Sequence, residues 1–186
     1  MCLRTKQCIQ RILHTVCLWM GMLICCLIIF GSIMSYFQIS YSYTGSLPCG
    51  IYRGITGQIK RGSYVSFDPK LNDRIECFLN QYAKRGASKI WMKKVVGMPG
   101  DLINIDEMNR VTVNGQGLDG SNWFPIVSRS GIPMVTMPHY PIRLGDHEVF
   151  VLGTDPKSLD SRFFGPVPLA IITEINEPLF VFSSEK

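Results

Sequence analysis

Two residues in this chain are of types that together can do acyl-transfer chemistry, Ser46 and Lys93. Ser46 opens Ser46-Leu47-Pro48-Cys49-Gly50-Ile51-Tyr52, a serine on a backbone bent by Pro and Gly just beyond an apolar segment. Lys93 lies in Trp91-Met92-Lys93-Lys94-Val95-Val96-Gly97-Met98-Pro99-Gly100-Asp101, at the edge of an apolar strand pattern that ends in a Pro-Gly turn. A serine hydroxyl attacks a carbonyl once a base takes its proton, and a lysine is that base only when burial keeps its amine neutral. From a reference pKa of about 10.4, half-deprotonation at pH 8 needs a downward shift of roughly 2.4 units, about 3 kcal/mol. Trp91, Met92, Val95 and Val96 are apolar neighbours able to surround the ammonium stem, and no carboxylate stands beside Lys93 in sequence. Taken singly, Ser46 reads as a loop serine and Lys93 as a solvated strand-edge cation. Taken together they point to a serine peptidase with a lysine base.

Other chemistries find less support. The histidines are His14, His139 and His147, and the last two stand in turn-like contexts without metal-helix spacing. A Ser-His-Asp arrangement using His139 or His147 is the alternative to lysine; exposed turn histidines are the plainer reading. No phosphate loop, dinucleotide fingerprint or Cys-x-x-Cys pair occurs, so neither a metal nor a cofactor is expected. Cys49 and Cys77 are the cysteines beyond the N-terminal segment, and an oxidising compartment would permit them to pair.

The elements that must position the pair begin with a membrane segment. Val16 to Met34 contains no charged residue, which is long enough to cross a hydrocarbon core of about 30 Å as a helix. Arg4, Lys6 and Arg11 precede it and no acidic residue does, so residues 1–15 are expected in the cytoplasm, 16–36 in the membrane and 37–186 outside. A cleaved signal peptide is the rival, but the apolar run exceeds the usual h-region of roughly 7–15 residues, and a retained anchor is expected. The formal charge is +5, and setting aside those three cations leaves 16 basic against 14 acidic residues. So even a balance does not fit a nucleic-acid binder.

Beyond Ile39 the pattern is mostly short strands: Ser63–Phe67, Leu102–Ile105, Val111–Val113, Glu148–Leu152, Ala170–Ile175 and Leu179–Phe182. Asn114-Gly115 is a two-residue hairpin signal. One stretch differs. Leu71, Ile75, Phe78, Leu79 and Tyr82 fall on one face of a helix, with Asn72 or Asp73 to cap it and Gly86 to end it. That helix is expected to pack on the sheet just before the strand carrying Lys93. The fold class is therefore mainly β with one inserted helix, after one N-terminal transmembrane helix.

A third segment, Ser158-Leu159-Asp160-Ser161-Arg162-Phe163-Phe164-Gly165-Pro166-Val167, packs hydroxyls, charge and aromatics after an apolar strand. With it, the chain resembles the type I signal peptidases, whose three motifs recur here in the family's order, behind an N-terminal anchor. Ser-x-Pro-x-Gly-x-Tyr around Ser46, in place of the usual Ser-Met-x-Pro-Thr, is more similar to the TraF branch, whose members mature pilin precursors for conjugative transfer. The resemblance implies a signal-peptidase-like β domain, with Ser46 as nucleophile and Lys93, first in the Lys-[Lys/Arg]-x-Val-Gly-x-Pro-Gly-Asp motif, as general base. It implies that Ser158 orients the lysine amine, that Asp160 and Arg162 form a supporting ion pair, and that Thr44 joins the Ser46 amide in the oxyanion hole. It further implies a substrate strand along Ile90, Trp91 and Met92, no cofactor, and two partners: an exported precursor, most readily a pilin, and the lipid bilayer of a bacterial inner membrane. One departure stands out. Gly153-Thr154-Asp155-Pro156-Lys157-Ser158 lacks the family's asparagine and is one residue shorter. A general signal peptidase and a catalytically silent assembly component of a secretion or pilus machine are the competing readings.

Overall fold

The structure, a computed structural model, describes residues 2–42, 46–82, 90–122, 138–155 and 158–182, with backbone alone for 2–10. It divides into two compact units, Met1–Ile39 and Ser40–Lys186.

The first unit is a single helix, α1 (Cys2–Tyr36). Its Arg11–Tyr36 stretch, 26 residues of mean hydropathy 2.5, is long and apolar enough to cross a membrane and presents its side chains outward throughout. At 1.5 Å per residue that stretch measures about 39 Å. Thr15 and Ser32 return their hydroxyls to carbonyls four residues back, Arg11 O at 2.9 Å and Ile28 O at 2.8 Å, so neither presents an unsatisfied donor on the apolar surface. The helix runs unbroken from Cys2, so the stretch expected as a separate tail is helical too.

The second unit is mainly β. Its elements in chain order are β1 (Ile39–Ser42), β2 (Gly50–Ile55), β3 (Tyr64–Phe67), α2 (Asp73–Tyr82), β4 (Trp91–Gly97), β5 (Leu102–Ile105), β6 (Arg110–Val113), β7 (Gln116–Asn122), β8 (Ile142–Arg143), β9 (Glu148–Leu152), α3 (Ser161–Phe164), β10 (Val167–Pro168) and β11 (Ile172–Val181). Seven strands form one sheet in the order β1-β2-β11-β3-β4-β9-β10, and four form another in the order β7-β6-β5-β8. Side-chain alternation along β9 decides how the core divides. Val149 and Val151 face a cluster with Val65, Phe67, Val95 and the helical residues Ile75, Phe78, Phe163 and Phe164. Phe150 and Leu152 face the other way, into Ile103, Val111, Val113 and Leu144 of the small sheet. The large sheet therefore carries helices on one face and the small sheet on the other.

Helix α2 forms as its period predicts, burying Ile75, Phe78 and Leu79, with the Asn72 carboxamide accepting from the Ile75 amide at 3.1 Å. Leu71 is a correction. It belongs to a 3-10 turn, Pro69–Leu71, ahead of the cap and is 62 % exposed, because Asp68-Pro69 starts that separate turn. Asn114 and Gly115 take φ of 53° and 83° and bring Val113 opposite Gln116, the two-residue hairpin that Asn-Gly favours. The two C-terminal strands read from sequence are one strand, β11, entered through a 3-10 turn at Leu169–Ile171. Pro178, which cannot donate to a ladder, is absorbed by a register shift between Pro178 and Phe180.

Asp101 ties the two sheets at the turn after β4. One carboxylate oxygen accepts from the Met98 amide (2.6 Å) and Arg61 (2.7 Å), and the other from the Asn114 side chain (2.7 Å). Burial opposes its charge, but the Met98 amide, Asn114 and Arg61 outweigh that and hold the carboxyl below its ordinary 3.8. Its contribution is complete above that value and fades as the pH falls through the lower folded pKa. Asp101→Ala is expected to cost about 3 kcal/mol at neutral pH, since three hydrogen bonds to a charged group are lost together. Urea unfolding at pH 7 measures this; a loss under about 1 kcal/mol would contradict it.

Candidate active site

Lys93 owes its burial to strand register. On β4 it sits opposite Val65 of β3, and Trp91 and Val95 flank it on the same face, two residues away on either side. Val65 and Val95 are fully buried, Lys93 itself is 3 % exposed, and its neighbour Lys94 faces out. The same alternation corrects one expectation. Met92 and Val96 share the face of Lys94, and Val96 packs into the small-sheet cluster, so Val65 takes the place assigned to them around the amine. The Nζ lies 5.5 Å from the centre of the Trp91 ring. Burial is the main reason its pKa falls from 10.5 to about 8. Asp160 and Asp155 pull the other way, and Arg162 adds to the fall.

The Lys93 amine donates to Ser158 Oγ at 2.7 Å. Ser158, also buried, stands on the loop between β9 and α3, and that loop is braced from within. Its amide donates to Asp155 O at 2.9 Å. The carboxylate of Asp160, fully buried, receives Arg162 Nε at 2.8 Å and Arg162 Nη2 at 2.7 Å, a two-point ion pair. Asp160 also accepts the Gly153 amide at 2.9 Å and caps α3 through the Arg162 amide at 3.2 Å. The guanidinium continues outward to Asn122 O (3.0 Å) and Asp155 O (3.1 Å). Both carboxylate oxygens are thus engaged by the loop's own donors. The pair fixes the loop, and its opposite charges act against each other at Lys93.

The backbone of Ser46 enters this assembly from the other side. Its carbonyl accepts the Thr154 amide at 2.7 Å, one residue along from Gly153. Gly153 is where the segments meet. A Cβ there would overlap Ser158 Oγ, approach Ser158 Cβ to 2.5 Å and Ser46 O to 2.8 Å. The Ser46 backbone, Ser158, Asp160, Arg162 and Lys93 are therefore gathered at one end of the large sheet. Trp91 and Met92 open β4 and pair with Phe67 and Ser66, whereas the β9 ladder begins at Lys94, opposite Leu152. Ile90 is exposed just before them. Thr44 lies outside the described residues, as do Gly86, Pro156 and Lys157. His139 and His147 are exposed in turns, and Cys49 and Cys77 are free thiols.

Sequence comparison agrees with this gathering of motifs. The profile of the family described as signal peptidase, peptidase S26, matches residues 10–179. The chain belongs to that family. Two relatives are TraF proteins: the chain is 27 % identical over 146 residues to the plasmid transfer protein TraF of Escherichia coli, covering 75 % of this chain and 80 % of that protein. It is 26 % identical over 109 residues to the conjugal transfer protein TraF of Agrobacterium tumefaciens (strain 15955), covering 59 % of each. A crystal structure of a signal peptidase I from Enterococcus faecalis aligns with 65 % of this chain and 98 % of its own, at 18 % identity and a TM-score of 0.42. Two contacts near these segments have no counterpart in residue type alone: the Gly153 amide donates to the Asp160 carboxylate where no Cβ would fit, and the Tyr52 hydroxyl donates to the Pro48 carbonyl.

Proposed function

We propose that this protein is a membrane-anchored serine endopeptidase that removes leader segments from exported precursors, with Ser46 as nucleophile and Lys93 as general base. The observation that carries the reading is a lysine 3 % exposed, hydrogen-bonded to Ser158, in a loop that also holds the Ser46 carbonyl. At a pKa of about 8, a substantial fraction of the Lys93 amine is neutral in mildly alkaline solution. It takes the Ser46 proton as the hydroxyl attacks the scissile carbonyl and gives it to the leaving amine as the C–N bond breaks; neutral again, the amine takes a proton from the water that attacks the acyl-enzyme and returns it to Ser46 as the ester bond breaks. Ser158 aims the lone pair, and Asp160 with Arg162 holds Ser158 in place. The Ser46 amide and the Thr44 hydroxyl complete the oxyanion hole.

The precursor lies as an added strand along Ile90, Trp91 and Met92, the residues that lead into Lys93. Helix α1 crosses the inner membrane once, with Arg4, Lys6 and Arg11 on the cytoplasmic side and the β unit in the periplasm. The similarity to two proteins named for plasmid and conjugal transfer favours a precursor used in conjugative transfer, for which we propose a pilin, over general secretory precursors.

Ser46→Ala and Lys93→Ala, each expressed in place of the natural chain, are expected to leave the precursor at full length on mass spectrometry. In the natural chain, kcat/KM should rise with pH through about 8 and then level, because the depressed lysine pKa makes the base available only above it. Processing that persists in both variants, or a rate flat between pH 6 and 10, defeats the reading and leaves an assembly component in its place.

A further inference from the structure

The half of the nucleophile motif that the mechanism leaves unused is Gly50-Ile51-Tyr52. The loop ahead of it, Ser46 to Cys49, is held at three carbonyls by three different elements. Ser46 O accepts the Thr154 amide at 2.7 Å, Cys49 O accepts the Phe182 amide at 2.8 Å, and Pro48 O accepts the Tyr52 hydroxyl at 2.8 Å. Leu47, between the first two of these points, is 2 % exposed. Two of the three donors are backbone amides, and the third is a side chain. Tyr52 is itself completely buried, with its ring edge-on to Tyr64 at 5.4 Å between centres, so its hydroxyl has one fixed direction. Gly50 lets β2 come close enough to β11 for this to happen. A Cβ at Gly50 would overlap the Phe180 carbonyl oxygen and lie 3.0 Å from Val181 Cα.

We propose that Tyr52 is a positioning residue for Ser46: its hydroxyl, through the Pro48 carbonyl, sets where the nucleophile loop stands relative to Lys93. The inference rests on the assignment of Ser46 as nucleophile. Tyr52 stands on the opposite face of the sheet from Lys93, because its ring partner Tyr64 pairs with Lys94, which faces away from the site. Its contribution is therefore geometric. A loop released by a fraction of an ångström to one ångström loses attack geometry, and misplacement on that scale costs up to about 10²-fold in rate.

The test uses the full-length chain in detergent, a synthetic precursor peptide carrying the leader junction, and four proteins: natural, Ser46→Ala, Tyr52→Phe, and the chain with 4-aminophenylalanine at position 52. Tyr52→Phe is expected to lower kcat by roughly 10- to 100-fold with KM within about threefold and the apparent pKa of the rate unmoved. The amino analogue, which keeps a donor at the same point, should recover most of the lost kcat. Natural kcat in Tyr52→Phe, with Ser46→Ala inactive, overturns the inference and spares the nucleophile assignment. Activity in Ser46→Ala defeats the assignment itself. A Tyr52→Phe chain without a thermal unfolding transition, or with an apparent pKa displaced from that of the natural chain, gives the hydroxyl a general structural role and also overturns it.

Discussion

Replacing Lys93 by methionine is expected to end precursor processing while making the protein more stable. Burial lowers the lysine pKa from 10.5 to about 8, so below pH 8 the folded state carries a charge that it holds less comfortably than water does. The cost of that is about 3 kcal/mol, as an order of magnitude. Methionine has a similar length, needs no solvation and sits among Val65, Trp91 and Val95. It strands the Ser158 hydroxyl, which returns about 1 kcal/mol. The net gain near pH 7 is therefore about 2 kcal/mol, or roughly 4–8 °C in melting temperature for a unit of this size. The sign follows from proton binding. Between pH 8 and 10.5 the unfolded chain holds more protons than the folded one, so the natural protein gains stability with rising pH and the advantage of Lys93→Met shrinks away. Thermal melts at pH 7 and pH 10 measure it. A methionine variant that melts below the natural protein at pH 7 would mean that the lysine is a structural cation.

The trade between stability and chemistry also explains what could be read beforehand. Lys93 was legible only in company: alone it reads as a solvated strand-edge cation, and its pairing with Ser46 and its place at the head of the Lys-Lys-Val-Val-Gly-Met-Pro-Gly-Asp stretch singled it out. The inserted helix was legible because Ile75, Phe78 and Leu79 repeat with its period. Asn114-Gly115 announced its hairpin because both residues tolerate positive φ. What stayed hidden depends on neighbours distant in sequence. Strand β7, Gln-Gly-Leu-Asp-Gly-Ser-Asn, has little strand propensity and forms because the hairpin lays it against β6. The side of β4 on which Met92 and Val96 fall follows from alternation, yet nothing local said that Val65 would close the gap. The loop before Ser158 departs from the family pattern, yet Ser158 still receives the Lys93 amine. The Asp160–Arg162 pair, spanning Gly153, Asp155 and Asn122, anchors that loop from its far end. Sequence motifs named the residues; contacts across the chain decided their distances.

Gly153→Ala is expected to inactivate the protein as thoroughly as Ser158→Ala, with a fall of about 10²-fold or more in kcat. The backbone at 153 is outside the left-handed region, so alanine adopts it without conformational strain; the difficulty is space. The added methyl overlaps Ser158 Oγ, and the backbone at 153 cannot readily yield. The Gly153 amide is fixed to Asp160 at 2.9 Å, and the next residue, Thr154, holds the Ser46 carbonyl at 2.7 Å. The cheapest relief is for Ser158 to swing away from Lys93, which leaves the amine without its guide. Overpacking of this kind costs about 1–3 kcal/mol of stability besides. A compensating change separates the two effects: Gly153→Ala combined with Ser158→Gly removes the overlapping hydroxyl and its Cβ, so stability should recover while activity does not. Gly97 supplies the contrast, because a methyl there meets Phe150, Ile103 and Leu144 at 2.8–2.9 Å, all within the small-sheet core. Gly97→Ala should therefore lower the melting temperature and leave the kcat of the folded fraction intact. Equal stability losses with equal kcat losses at the two glycines would show that position 153 is merely crowded, and would remove the Ser46–Gly153–Ser158 contact from the account of the site.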